Sequence, residues 1–364
     1  RRAPWALSAA ESGKALAVAA CFLGNACRRR HGPSMTKSWQ QTLLSSGLPL
    51  ENDIYLHLSK RGCIGRFEYS YLKPDENSVD REFSYDIDTS YIRGPYFMHL
   101  MIECKYRHPG ARWVFAPAEY GGPDELESND FLHVVDDFMA PKFAYRSRFP
   151  RTLAPLCSKG VELLADGANE KTITQATHQL AYGLAPQLAS SIEHQVGRLL
   201  AADMAFFNIP VVITTAELFR LNAATSIQKI RDAREIEDVA TKADCLVLKY
   251  LPGAELQRYN RKVLQAHLDR SDAKKLKAAF NSYTKDLPHW YASLAADQCP
   301  RAMVIISVAS SYAGLDSLFG YLDELAVPSQ KLKDEISAQE KELQEMLKQL
   351  QKHTKGMPKG RRAS

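Results

Sequence analysis

Two strand-length segments set almost end to end constrain this chain more than any other feature. Residues 81–92 read Arg-Glu-Phe-Ser-Tyr-Asp-Ile-Asp-Thr-Ser-Tyr-Ile, and residues 96–106 read Tyr-Phe-Met-His-Leu-Met-Ile-Glu-Cys-Lys-Tyr, with only Arg93-Gly94-Pro95 between them. Runs rich in aromatic and β-branched residues, joined by a Gly-Pro turn, predict an antiparallel pair. Alternate side chains of a strand share a face. Phe83, Tyr85 and Ile87 are thus expected on one face, and Ser84, Asp86 and Asp88 on the other. In the second strand Glu103 and Lys105 share a face, while Ile102 and Cys104 point away.

Paired as neighbours, these strands bring two carboxylates and a lysine onto one surface. Carboxylates crowded on a sheet raise one another's proton affinity, and a cation offsets the repulsion. Two carboxylates offer hard oxygen ligands suited to Mg²⁺, which completes its shell with water and substrate phosphate. A lysine two residues on can hold the attacking water, and the metal stabilises charge on the phosphate. Together these parts outline phosphodiester hydrolysis.

The pattern Asp-x(16)-Glu-x-Lys on consecutive strands, after an acidic N-terminal helix, resembles the PD-(D/E)XK nuclease superfamily. Ile102-Glu103-Cys104-Lys105 is similar to the Mrr and Holliday-resolvase branch, and the strand before it to that branch's R-E-x-D strand. The resemblance covers about 45–215 and implies an α/β restriction-endonuclease-like domain with a mixed sheet flanked by helices. It implies Asp86 and Glu103 as ligands for Mg²⁺ (or Mn²⁺), the Cys104 carbonyl as a further ligand, and Lys105 as the catalytic lysine. Glu51 or Asp53 would match the family's helical acidic residue, and Gln179 the glutamine that some members place beside the site. A literal Pro-Asp is absent, so Asp86 and Asp88 both stand as ligand candidates; Asp86, between Tyr85 and Ile87, is the better match. The implied activity is a metal-dependent DNA endonuclease, in defence or repair. Read structurally instead, Glu103 and Lys105 form a solvent-facing salt-bridge ladder beside Arg81 and Glu82. The functional alternatives are a silent nucleic-acid-binding module of the same fold, or an assembly protein organised by the helix over 331–350.

Around this centre the punctuation predicts a mixed α/β order. A helix is expected over 36–62 with a break and fresh start at Pro49, then strands at 65–72 and 112–116 flanking the central pair. A helix covers 170–207, with Ala176, Leu180, Leu184, Leu188 and Ile192 at helical spacing. Residues 209–214, 245–250 and 302–308 read as buried strands. Residues 35–327 therefore form the domain, and 121–129 an acidic loop within it. In the segment 328–364, Ile336, Leu343 and Leu350 recur every seven residues as an amphipathic or coiled-coil helix. That helix either packs on its own domain or pairs two copies of the chain.

Net charge is a poor guide to partners. Residues 1–34 hold six basic residues against Glu11, so the formal +5 of the chain resides there. This segment precedes the first methionine, Met35, and reads as an N-terminal extension outside the working domain. Residues 35–364 balance at 41 basic and 41 acidic. Any phosphate-binding surface must be local; Lys142, Arg146, Arg148 and Arg151, interleaved with Phe143, Tyr145 and Phe149, form one candidate for DNA. No apolar run approaches the roughly 20 residues of a membrane helix. Seven scattered cysteines without zinc-ligand spacing fit reduced thiols in a cytoplasm. There is no P-loop, HExxH or Gly-rich dinucleotide loop.

Overall fold

The computed structural model describes residues 38–74, 79–118, 129–138, 151–165, 167–197, 204–281, 286–297 and 299–356. The N-terminal extension, the acidic loop over 121–128, the tail over 357–364, and Lys142, Arg146 and Arg148 lie outside them. The chain divides into Arg1–Ser38 and Trp39–Ser364, and all that follows concerns the second unit.

Helices α1 (Trp39–Ser45) and α2 (Leu48–Lys60) show the expected break and fresh start, because Gly47 takes a left-handed φ of 85° and Pro49 opens the new first turn. Leu50, Ile54 and Leu58, four residues apart, form the buried stripe of α2. The meander follows as β1 (Ile64–Pro74), β2 (Asp80–Arg93) and β3 (Tyr96–Lys105), each antiparallel to the last. After β4 (Arg112–Pro117), β5 (His133–Val135), β6 (Leu156–Leu164) and β7 (Gly167–Asn169), the chain crosses over through α3 (Lys171–Gly197). It returns as β8 (Ala205–Thr214), which lies parallel to β3 over the full length of both. The expected helix over 170–207 thus ends at Gly197, and Phe206 and Phe207 belong to a strand.

Beyond β8 come β9 (Glu217–Leu221), the short α4 (Ile227–Asp232), β10 (Ala240–Ala243), β11 (Cys245–Lys249), α5 (Ala254–Arg270), α6 (Ala273–Ala279) and α7 (Leu287–Asp297). The described chain closes with β12 (Ala302–Ser307), α8 (Ala313–Ala326) and α9 (Gln330–Gly356). The strands make a mixed 12-stranded sheet in the order β1-β2-β3-β8-β12-β11-β6-β4-β9-β10, with β5 beside β8 and β7 beside β6. Every residue of β8 is buried, as a central strand covered on both faces requires. Pro210 survives there because the amides of Ala205 and Thr215 face β3, so its nitrogen faces the opposite side. On that side the β5 ladder stops at Asn208 and the β12 ladder begins at Val211, opposite Val304, leaving no ladder bond for the proline to break.

Helices α3, α5, α6 and α7 cover one face of the sheet with Tyr71, Tyr85 and Met101; α2 and α8 cover the other with Ile87, Ile102 and Cys104. Leu332 and Ile336 bury the first turns of α9 in that second core, whereas Met346 is half exposed. The side chains of Leu343, Leu347 and Leu350 lie outside the description. Tyr85 and Ile87 therefore fall on opposite faces, against the expectation of one. Glu68, across from Asp86, has φ 59°, and this left-handed residue reverses the alternation of β1 and β2 at that point.

Candidate active site

The reversal coincides with a parting of strands. The β2–β3 ladder ends at Ile87 opposite Ile102, so Asp86 and Glu103 are the first residues past the join, while β3 stays zipped to β8 as far as Lys105. An amide freed from its ladder needs another acceptor. The Cys104 N–H finds it in Asp86 Oδ2 at 2.6 Å, which fixes the Asp86 carboxylate in the gap. The Cys104 thiol packs in the α2–α8 core, so only its backbone reaches the site.

Glu103 shares the α3-side face with Lys105, as alternation predicts. Its carboxylate has no solvent exposure, yet the Lys105 ammonium is the partner of one oxygen and Oε2 has none. Gln179 on α3 closes the arrangement. Its Oε1 accepts from Lys105 Nζ at 3.3 Å and its Nε2 donates to the Ser84 carbonyl at 3.0 Å, which orients the amide. Close approach of α3 depends on Gly183, where a Cβ would stand 3.2 Å from the Tyr85 ring.

The electrostatics follow from crowding. Burial and then the neighbouring Asp86 push the Glu103 carboxyl up to about 8, against the opposing pull of Lys105. Burial likewise raises Asp86, despite the Cys104 N–H and Lys105, and Glu68 adds to the rise. Glu51 in the first turn of α2 is raised by burial and by Asp86. The three acidic groups thus sense one another, and Glu68, which no periodicity marks, belongs to the same field.

Asp53, the alternative to Glu51, is engaged by the Tyr312 hydroxyl. Asp88, the alternative to Asp86, lies elsewhere: it takes hydrogen bonds from Tyr85 and His99 and faces Arg66 at 3.3 Å. Burial works against the Asp88 charge, but the His99 hydrogen bond and charge, with Tyr85 and Arg66, outweigh it and hold the carboxyl low. His99 continues this chain to Asn208, which meets Ser191. The network lines a separate cavity of about 730 Å³ walled by Tyr69, Phe97 and Phe206. Sequence reasoning gave His99 no part in it, since nothing local connects 99 with 208. Arg151 is committed to α8 and α9 through Glu324 at 3.4 Å and Glu335 at 3.3 Å.

Among the described residues, no group of three or more His, Cys, Asp or Glu side chains is arranged to hold a metal ion unaided. Two carboxylates with a backbone carbonyl form a smaller donor set, of the kind Mg²⁺ supplements with water and substrate oxygens. The partnerless, fully buried Oε2 of Glu103 beside Asp86 fits such an ion. No family model, curated protein or solved structure gives a significant match to the chain.

Proposed function

We propose that this chain is a Mg²⁺- or Mn²⁺-dependent nuclease of the PD-(D/E)XK type, hydrolysing DNA phosphodiester bonds in the gap between β2 and β3. The observation that carries the reading is the orphaned carboxylate oxygen of buried Glu103, set beside Asp86 where the ladder ends. A buried acidic oxygen without a donor is costly, and a bound cation is the partner that removes the cost. The run α2, β1, β2, β3, followed after the four strands β4 to β7 by α3 and by β8 parallel to β3, supports the restriction-endonuclease-like assignment.

Asp86, Glu103 and the Cys104 carbonyl would hold the ion, which supplies a Lewis acid for the phosphate and lowers the pKa of a bound water. Lys105 positions the attacking water and stabilises negative charge on the phosphate. Gln179, anchored on the Ser84 carbonyl, keeps the Lys105 ammonium aimed into the gap. Glu51 adds negative charge on the α2 side, strengthening the attraction for a cation.

Incubation with supercoiled plasmid, single-stranded DNA and RNA, in Mg²⁺ or EDTA, tests this. Metal-dependent cutting is expected, reduced roughly 100- to 1000-fold by Asp86→Asn or Lys105→Ala, the range for loss of one charge-stabilising group. No metal-dependent cutting of any of the three would overturn it. A non-cleaving binding module of the same fold draws on a different observation: Asp86 and Glu103 each already have one protein partner, the Cys104 amide and Lys105. It predicts DNA affinity and biological effect unchanged by Asp86→Ala and Lys105→Ala.

A further inference from the structure

Gln179 also lines an open trough of about 580 Å³. Its floor is aromatic: Tyr71 and Phe83, cross-strand partners on β1 and β2, stack with ring centroids 6.3 Å apart and planes at 24°. Phe83 is 38% exposed, so its ring is offered to the trough rather than spent on the core. The Tyr71 hydroxyl donates to the Gln179 carbonyl at 2.7 Å, which ties this aromatic step to the helical turn that orients Lys105. The cations are Lys73 and Lys171. Lys73 Nζ lies 3.6 Å from the Tyr182 ring centroid and 5.6 Å from that of Phe83, with only a loose 3.9 Å pairing to Glu255. Lys171 opens α3, and the eight residues from it to Gln179 span roughly 12 Å of helix. Glu170, the acidic residue of the lining, is paired with Lys159 at 3.1 Å.

An exposed aromatic face with flanking ammonium groups, sharing Gln179 with the proposed cleavage site, is the composition that binds unpaired nucleotides by stacking and backbone attraction. A double helix presents no open base face to such a ring. Resting on the nuclease reading, we infer that the trough receives an unpaired nucleotide next to the scissile phosphate. Phe83 stacks on its base, and Lys73 and Lys171 contact the adjoining phosphates. The substrate is then a single strand, a flap or a frayed end rather than an intact duplex.

Binding of a labelled DNA strand, the same sequence as RNA, and the same sequence as a blunt duplex, all in EDTA, tests the inference with the full chain. Phe83→Ala should weaken single-strand affinity about five- to 150-fold and leave duplex affinity unchanged. Phe83→Leu, which keeps apolar packing and removes the ring, should match it, and Phe83→Trp should restore affinity. Lys73→Gln should reduce the slope of log affinity against log salt by about 0.7, the share of one single-strand phosphate. The RNA arm reports which sugar the trough accepts. Equal loss for single strand and duplex, no loss in either Phe83 variant, or no binding of any form would overturn the inference. Phe83-dependent binding without Mg²⁺-dependent cutting would sink the nuclease reading alone; Asp86-dependent cutting indifferent to Phe83 would sink this inference alone.

Discussion

Glu103 and Glu162 are both fully buried, and their basic neighbours Lys105 and Arg107 stand two residues apart in the chain. Their surroundings differ. Both oxygens of Glu162 are supplied: Trp113 Nε1 donates to Oε1 at 3.0 Å, while Arg107 Nη2 at 2.9 Å and Thr172 Oγ1 at 3.1 Å donate to Oε2. Glu103 has Lys105 for one oxygen and nothing for the other, and it faces Asp86 besides. A buried charge that is saturated holds elements together; one left short beside a like charge works against folding unless something else binds it. Glu162 pins β6 to β4 and to the chain after β3. On the proposed reading, Glu103 is kept for a ligand.

The sharpest way to break this comparison is to neutralise each glutamate in turn. Glu103→Gln should cost roughly 100- to 1000-fold in metal-dependent cleavage, while the thermal midpoint without metal stays level or rises, because a crowded carboxylate is gone. Glu162→Gln should do the reverse. Cleavage by the folded fraction persists, but stability to urea falls by about 3 kcal/mol as Arg107 loses its ionic partner. Matching effects on both properties in both variants would erase the distinction.

His133 extends the saturated side of the comparison to acid. Its Nδ1 donates to the Asn208 carbonyl at 3.2 Å and its Nε2 accepts from the Arg301 amide at 2.9 Å, so the neutral ring satisfies both contacts. Burial, with the Arg301 charge, lowers its pKa to about 3. A histidine lowered in the fold binds its proton more readily when unfolded. Its contribution is therefore complete above about pH 6.5 and drains away as pH falls toward 3. Urea midpoints measured from pH 7 to 4 should decline, and His133→Gln should flatten that decline.

The smallest effect concerns the turn in alternation itself. Glu68 holds φ 59° without being glycine, a conformation that costs on the order of 1 kcal/mol. Glu68→Gly should recover about that much in urea unfolding, and Glu68→Val should lose more than Glu68→Ala.

The sequence made much of this legible, for identifiable reasons. The meander shows because its strands are adjacent, bounded by Gly94-Pro95, and alternate over a dozen residues. Glu103-x-Lys105 on one face follows from the strand period alone, and Glu51 and Gln179 came through resemblance. The reversal at Glu68 and Asp86 was hidden, since Phe83, Tyr85 and Ile87 keep an unbroken period and no glycine marks the left-handed residue. The far end of α3 was overread because an apolar run supports helix or strand equally. The Arg107–Glu162 and His99–Asn208 bonds join residues far apart in the chain, which local patterns do not encode.

Calorimetric titration of the metal-free protein with Mn²⁺ tests the central claim most directly, because it needs no substrate. The chain should bind the ion with release of protons, since raised carboxyls must ionise to become ligands. Asp86→Asn and Glu103→Gln should abolish that binding, and Glu162→Gln should retain it. Binding that survives Glu103→Gln, or none in the unaltered chain at millimolar Mn²⁺, would contradict the account.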